Sequence, residues 1–149
     1  MGKKMIVLEA IVLCSKNQGQ MMPMAIERID VESFLSLSDQ YPILDVRSPG
    51  EYLHAHIPGA LSLPLFTDEE RKVVGTAYKQ QSKQEAIKLG LDYFGVKMRK
   101  MVEEVERICG SIESTDQPSV KRTILVHCWR GGMRSAGVAW LLDLYGYRV

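Results

Sequence analysis

The chain carries no disulfide framework. Its three cysteines, Cys14, Cys109 and Cys128, are odd in number and far apart, and no Cys-x-x-Cys or Cys/His cluster has the spacing of a zinc site, so no metal is expected. It has no charge excess. Nineteen basic against 18 acidic residues leave a formal net charge of +1, which excludes a chain built as a whole for nucleic acid or an anionic membrane and leaves room only for a local patch. It has no long apolar run. The run in "MGKKMIVLEAIVLCSK" is interrupted by Glu9, is too short to span a bilayer, and is followed by no small-residue cleavage site. Walker-type phosphate loops, internal repeats and low-complexity stretches are also missing.

What remains is an ordinary globular composition. With 149 residues, 46% hydrophobic and 25% charged, the chain suits one domain with one core. Unpaired thiols point to a reducing cytoplasm. Residues 1–23 read as a peripheral N-terminal extension, and residues 24–149 as the domain.

Apolar runs alternate with helical patterns along that domain. "MAIERI" (24–29) reads as a short strand. Asp30 then caps a helix with Val31, Phe34 and Leu35 on one face. "YPILDV" is a buried strand. "SPGE" follows as a capping box, with Ser48 as cap, Pro49 at the first helical position and Glu51 three residues on. Pro58–Gly59 is a turn before a strand near Ala60–Leu63. "TDEE" opens a helix from Thr67, for which Gly90 is the expected stop. Phe94, Met98, Met101, Val102, Val105, Ile108 and Cys109 mark an amphipathic helix in which Cys109 is a buried structural thiol. "SIESTDQPSVKR" is a polar loop, "TILVHC" a buried strand, and Ser135–Tyr145 a helix ended by Gly146, with Val138, Leu141, Leu142 and Tyr145 on one face. "YRV" begins a further strand. The alternation predicts an α/β fold with a mostly parallel sheet covered on both faces, its working loops at the carboxyl ends of the strands. Cys128 and the Asp45–Arg47 stretch both fall at such ends.

The stretch "HCWRGGMRS" carries the chemistry. A loop curling around the Cys128 sulfur turns backbone N–H groups inward, and Gly131 and Gly132 permit the dihedrals this needs. The helix that follows adds its positive end. Such a setting stabilises a thiolate, the nucleophilic form of cysteine. Arg134 offers a two-pronged clamp for an oxyanion. The plainer alternative is a core cysteine ending a strand, which the glycines and arginine at a helix start make less apt.

"ILDVRSPGEYLHAHIPGALSLPL" and "VHCWRGGMRS" resemble the first signature and the active-site loop of rhodanese domains. The likeness covers Ala25 to Val149. It implies a three-layer α/β domain around a five-stranded parallel sheet, the last strand being cut short here. It makes Cys128 the chalcogen carrier and Arg134 the residue that closes the loop. Asp45, Arg47, Glu51 and His56 take the motif's loop-supporting places. Ala55 stands where that family usually has glycine, so the turn geometry there is open.

Five residues separate Cys128 from Arg134, where sulfurtransferase rhodaneses usually have four. His-Cys-x5-Arg-Ser is also the pattern of cysteine phosphatases and arsenate reductases, and a wider loop suits a tetrahedral oxyanion. Two further stretches favour a different relative. "CWRGGMRS" and "DEERKVVGTAYKQQSKQEAIKLG" resemble the N-terminal rhodanese domain of tRNA 2-selenouridine synthases, which exchange sulfur for selenium at C2 of a wobble 2-thiouridine. This resemblance implies selenophosphate as the selenium donor, no bound cofactor, and tRNA and the selenophosphate synthase as partners of the full-length protein. It makes Trp129, Arg130, Gly131, Gly132, Met133, Arg134 and Ser135 the substrate-binding loop. That family continues into a P-loop domain, which geranyl diphosphate would require and which this sequence does not include. Lys79, Lys83, Lys88, Lys97, Arg99 and Lys100 offer two readings, a tRNA-facing patch and a solvated helix surface, of which the second is preferred. A non-catalytic binding module is the third alternative.

Overall fold

Three short parallel strands hold the centre of the domain: β1 (Ile43–Asp45), β2 (Leu61–Ser62) and β3 (Leu125–His127), in the order β2–β1–β3. They belong to a computed structural model, which describes residues 26–109, 122–129 and 132–149. Around them lie α1 (Val31–Leu37), α2 (Pro49–His54), α3 (Asp68–Gln80), α4 (Lys83–Gly95), α5 (Met98–Cys109) and α6 (Met133–Tyr145). Strand alternation sends neighbouring side chains to opposite faces. Ile43 and Leu125 pack with Ala60, Phe34, Leu37 and Ile57. Leu44 and Ile124 pack on the other side with Phe66, Phe94, Val105 and Leu142. The sheet is therefore sandwiched between apolar layers, as the continuous apolar runs required.

The ends of the sheet differ from expectation. Residues 26–29 form no strand; Met24 and Ala25 lie outside the described residues. The Glu27 N–H donates to the Val149 carbonyl (2.8 Å), but Glu27 and Arg28 are exposed and no ladder forms. The expected last strand is reduced to a parallel bridge between Thr123 and Arg148. The described residues thus hold three strands and one bridge rather than five strands. Tyr147 beside that bridge is wholly buried, which pushes its phenol up to about 12.

Helix starts follow the capping signals. Asp30 accepts from the Ser33 N–H (2.8 Å). Thr67 Oγ1 accepts from the Glu70 N–H (3.2 Å) while the Glu70 carboxylate accepts from the Thr67 N–H (2.9 Å). Helix faces were less legible. In α1, Phe34 faces the sheet as expected and Leu37 joins it, whereas Val31 and Leu35 are 73% and 49% exposed. Gly90 does not stop a helix. The break falls at Gln81–Ser82, where Ser82 Oγ accepts from the Glu85 N–H (3.1 Å) and opens α4. Gly90 lies inside α4 because the Phe66 ring packs there; a Cβ would come within 3.3 Å of Phe66 Cζ. Phe94 accordingly belongs to α4, and α5 begins at Met98.

Met101, Val102 and Val105 are the buried residues of α5. Cys109 is half-buried against the core, and burial pushes its thiol up. Cys14 and most of the polar loop, residues 111–121, lie outside the described residues. Helix α6 starts at Met133, two residues early, since Gly132 supplies the left-handed turn (φ +69°). Its Val138, Leu141 and Leu142 are buried as expected, but Tyr145 is exposed and donates to Glu106 (2.6 Å). Gly146 ends the helix with φ +121°.

Candidate functional site

Asp45 and His127 are register partners at the ends of β1 and β3, so the loops after both strands leave from one edge. The first loop begins with a buried ion pair. Arg47 Nε donates to both Asp45 carboxylate oxygens (2.9 and 3.0 Å), and Nη2 donates to Oδ2 (2.6 Å) and to the Ala55 carbonyl (2.7 Å). Burial works against the Asp45 carboxylate, yet the hydrogen bonds from Arg47 outweigh it and hold its pKa below the ordinary value. Ala55 sits in extended backbone (φ −165°), a conformation that needs no glycine. His127 Nε2 lies 3.4 Å from Asp45 Oδ2, without a hydrogen-bond partner among the described residues. Burial lowers the His127 pKa against the opposing pull of the Asp45 charge.

Glu51 is a second hub. Its Oε2 accepts from the Ser48 N–H (3.0 Å) and hydroxyl (3.1 Å). Arg134 grips the same carboxylate through Nη1 (2.7 Å) and Nη2 (3.3 Å), and Arg71 Nε approaches it at 3.0 Å. Burial alone would raise this carboxyl. The bonds from Arg134 and the Ser48 N–H, with the charges of Arg134 and Arg71, instead bring it down to about 2. Helix α3 is tied to the same region: the Gly50 N–H donates to both Asp68 carboxylate oxygens (3.0 Å each). A Cβ on Gly50 would lie 2.9 Å from Asp68 Oδ1.

Cys128 follows β3 directly and is half-buried. Its thiol donates to Ser135 Oγ (3.4 Å), and the Ser135 hydroxyl donates to the Gly132 carbonyl (3.1 Å). When Cys128 ionises, the Ser135 hydroxyl can swing to donate to the sulfur. Trp129 and Met133 are exposed, at 59% and 51%. Arg130 and Gly131 lie outside the described residues.

One expectation needs correction. Arg134 does not present an open fork to an oxyanion, because both of its terminal nitrogens are spent on Glu51. His56 makes a structural hydrogen bond, though on α2 rather than on the cysteine loop. Its Nδ1 pairs with the Tyr52 carbonyl (2.9 Å) and its ring stacks on Tyr52 at 4.0 Å, because it lies just beyond α2 and turns back onto that helix. Asp45, Arg47 and Glu51, by contrast, gather at the loop edge. Arg71 was missed, and Ser48 and His127, read as a helix cap and as part of the loop pattern, were given no place in the site. A basic residue directly after a capping box was the available signal for Arg71.

Cys128 opens into a groove of about 1160 Å³ between α6 and the α3–α4 pair. Among the described residues no helix is long and apolar enough to cross a membrane.

Known proteins share this pattern. The rhodanese-like domain family matches residues 30–149. A tRNA 2-selenouridine synthase of Nitrosomonas europaea is 40% identical over 118 residues, 77% of this chain and 28% of the relative. One from Bdellovibrio bacteriovorus is 33% identical over 128 residues, 80% of this chain and 30% of the relative. The chain thus spans under a third of the length of these curated relatives. The crystal structure of the N-terminal domain of a protein described as ATP/GTP binding, from Clostridium difficile 630, superposes with a TM-score of 0.69. It is 36% identical, over 83% of this chain and 88% of that one.

Proposed function

This chain belongs to the rhodanese-like domain family, and on that footing we propose that Cys128 is the nucleophile of a chalcogen-transfer site serving the conversion of a wobble 2-thiouridine to 2-selenouridine in tRNA. The observation that carries the reading is the position of Cys128. It sits at the carboxyl end of a parallel strand, in sulfur contact with Ser135 and ahead of a left-handed glycine and a helix start. That arrangement sets the sulfur beside a hydroxyl and near the start of α6, where a helix carries its positive end. The names of the relatives supply the substrate class. The donor is selenophosphate, held by the loop from Trp129 to Ser135. Arg134 shapes that loop from Glu51 and contributes positive charge from its edge. Partners of the whole protein are tRNA and the source of selenophosphate, and the chemistry runs in the cytoplasm.

The test is mass spectrometry of the chain after exposure to selenophosphate. Attack of the Cys128 thiolate at phosphorus forms an S–P bond and breaks the P–Se bond, so a phosphoryl adduct on Cys128 with release of selenide, both lost in Cys128→Ser, is expected. An unmodified Cys128 alongside turnover of a phosphate ester would sink the reading and favour a phosphatase.

A further inference from the structure

The groove beside Cys128 has a wall that the cysteine loop does not explain. Helices α3 and α4 form one side, and α6 forms the other with Met133, Gly137 and Trp140, spaced four and three apart on one face. The floor is apolar, made by Phe66, Val74, Phe94 and Met98 among others. Its charged lining is one-sided. Arg71, Lys72, Lys79, Lys83 and Arg134 line it, with no aspartate or glutamate, in a chain whose net charge is only +1. Nearby cations outside the groove are matched: Lys88 of α4 with Glu85, Lys97 after α4 with Glu70, and in α5 Arg99 with Glu103 and Arg107 with Glu104. Arg71 and Arg134 share Glu51. Lys72, Lys79 and Lys83 make no ion pair among the described residues. Three large aromatic side chains stand exposed along the same groove: Trp129 at 59%, Trp140 at 45% and Tyr78 at 52%.

Unpaired lysines beside exposed aromatic faces form the combination that holds single-stranded nucleic acid. The lysines follow the phosphates, and the bases stack on the rings. We propose that this groove binds an unpaired RNA segment, with Lys72, Lys79 and Lys83 on its phosphates and Trp140 under a base, and so leads a nucleoside to Cys128. The proposal deepens the reading above and rests on it for the identity of the strand as tRNA. A duplex does not fit the same way, since its bases are already stacked. An aliphatic chain would use the apolar floor but would leave the lysines without a role.

Trp129 and Trp140 are the only tryptophans, so tryptophan fluorescence, excited selectively over the six tyrosines, reports on this groove. The experiment titrates the Cys128→Ser chain with a short single-stranded oligouridylate, with a duplex of equal length, and with an aliphatic alcohol, across a salt series. Saturable quenching by the single strand, at least tenfold tighter than by the duplex, is expected. Trp140→Leu keeps an apolar side chain but removes the ring and should weaken binding about tenfold. Replacing Lys72, Lys79 and Lys83 together by glutamine should flatten the logarithmic salt slope by about two. Equal binding of duplex, an unchanged slope in the lysine variant, or quenching by the alcohol but not by RNA would overturn the proposal. No selenium chemistry enters this titration, and no RNA enters the selenophosphate test, so either result can fail while the other stands.

Discussion

Arg134 lies on Glu51, across 83 residues of sequence, with two nitrogens on the carboxylate at 2.7 and 3.3 Å. Both side chains are mostly covered, at 19% and 18% exposure. The contact locks the helix after the cysteine loop to the helix after β1. Two motifs distant in the chain thereby become one support for Cys128.

Acid should release that lock. The Glu51 carboxyl stands at about 2 in the folded protein against an ordinary value of 4.5. A carboxylate lowered by folding stabilises fully above its unfolded value and loses that contribution as pH falls from 4.5 through 2. The contribution is at most about 3 kcal/mol. Glu51→Gln should lower stability near neutral pH by about 2 kcal/mol and flatten the acid limb between those values. Urea unfolding at a series of pH values checks this; an unchanged acid limb would contradict it.

The Asp45–Arg47 pair sets a larger cost. Asp45→Asn leaves the Arg47 charge buried without its anion, an effect of roughly 3–5 kcal/mol. The expected result is an unfolding free energy from urea titration lower by that amount. A loss below 1 kcal/mol would mean that water reaches Arg47.

Ser135→Ala bears on reactivity more than on stability. Among the described residues it removes the one side-chain hydroxyl hydrogen-bonded to the Cys128 sulfur. A hydrogen bond to a charged group contributes about 1.5–3 kcal/mol, so alkylation of Cys128 by iodoacetamide at neutral pH should slow about tenfold. An unaltered rate with an unaltered circular dichroism spectrum would remove Ser135 from the site.

Gly75 and Gly90 should respond in opposite ways. A Cβ at Gly75 meets open space, whereas one at Gly90 meets the Phe66 ring at 3.3 Å. Gly75→Ala should gain about 0.5–1 kcal/mol from helix propensity. Gly90→Ala should gain nothing or lose stability, because Phe66 is buried in the core and must give way. Thermal unfolding of the two variants decides the matter.

What could be seen in the sequence was local or periodic. Ser48–Glu51 and Thr67–Glu70 act within one turn, and the apolar runs of β1 and β3 report burial on both faces. The likeness of "DVRSPGEY" and "HCWRGGMRS" to rhodanese motifs brought Asp45, Glu51 and Cys128 to one place. Contacts made by folding were not visible. Nothing near Arg134 announces that Glu51 will occupy its fork. Gly90 looked like a helix stop because close packing and chain reversal both favour glycine, and only the Phe66 ring tells them apart. His56 belongs to the motif yet turns to Tyr52, since hydrogen-bond partners depend on direction as well as spacing.

The bond from the Gly50 N–H to the Asp68 carboxylate makes the α3–α4 hairpin poorly transplantable. The hairpin carries the unpaired lysines, but its first residue grips the backbone of the helix that supports Cys128. Any side chain at position 50 would press on that grip. Grafted onto another domain of this fold, the hairpin would arrive with its lysines and without its anchor, unless the recipient offered glycine at the matching place. Capture of substrate and support of the sulfur would therefore be inherited together.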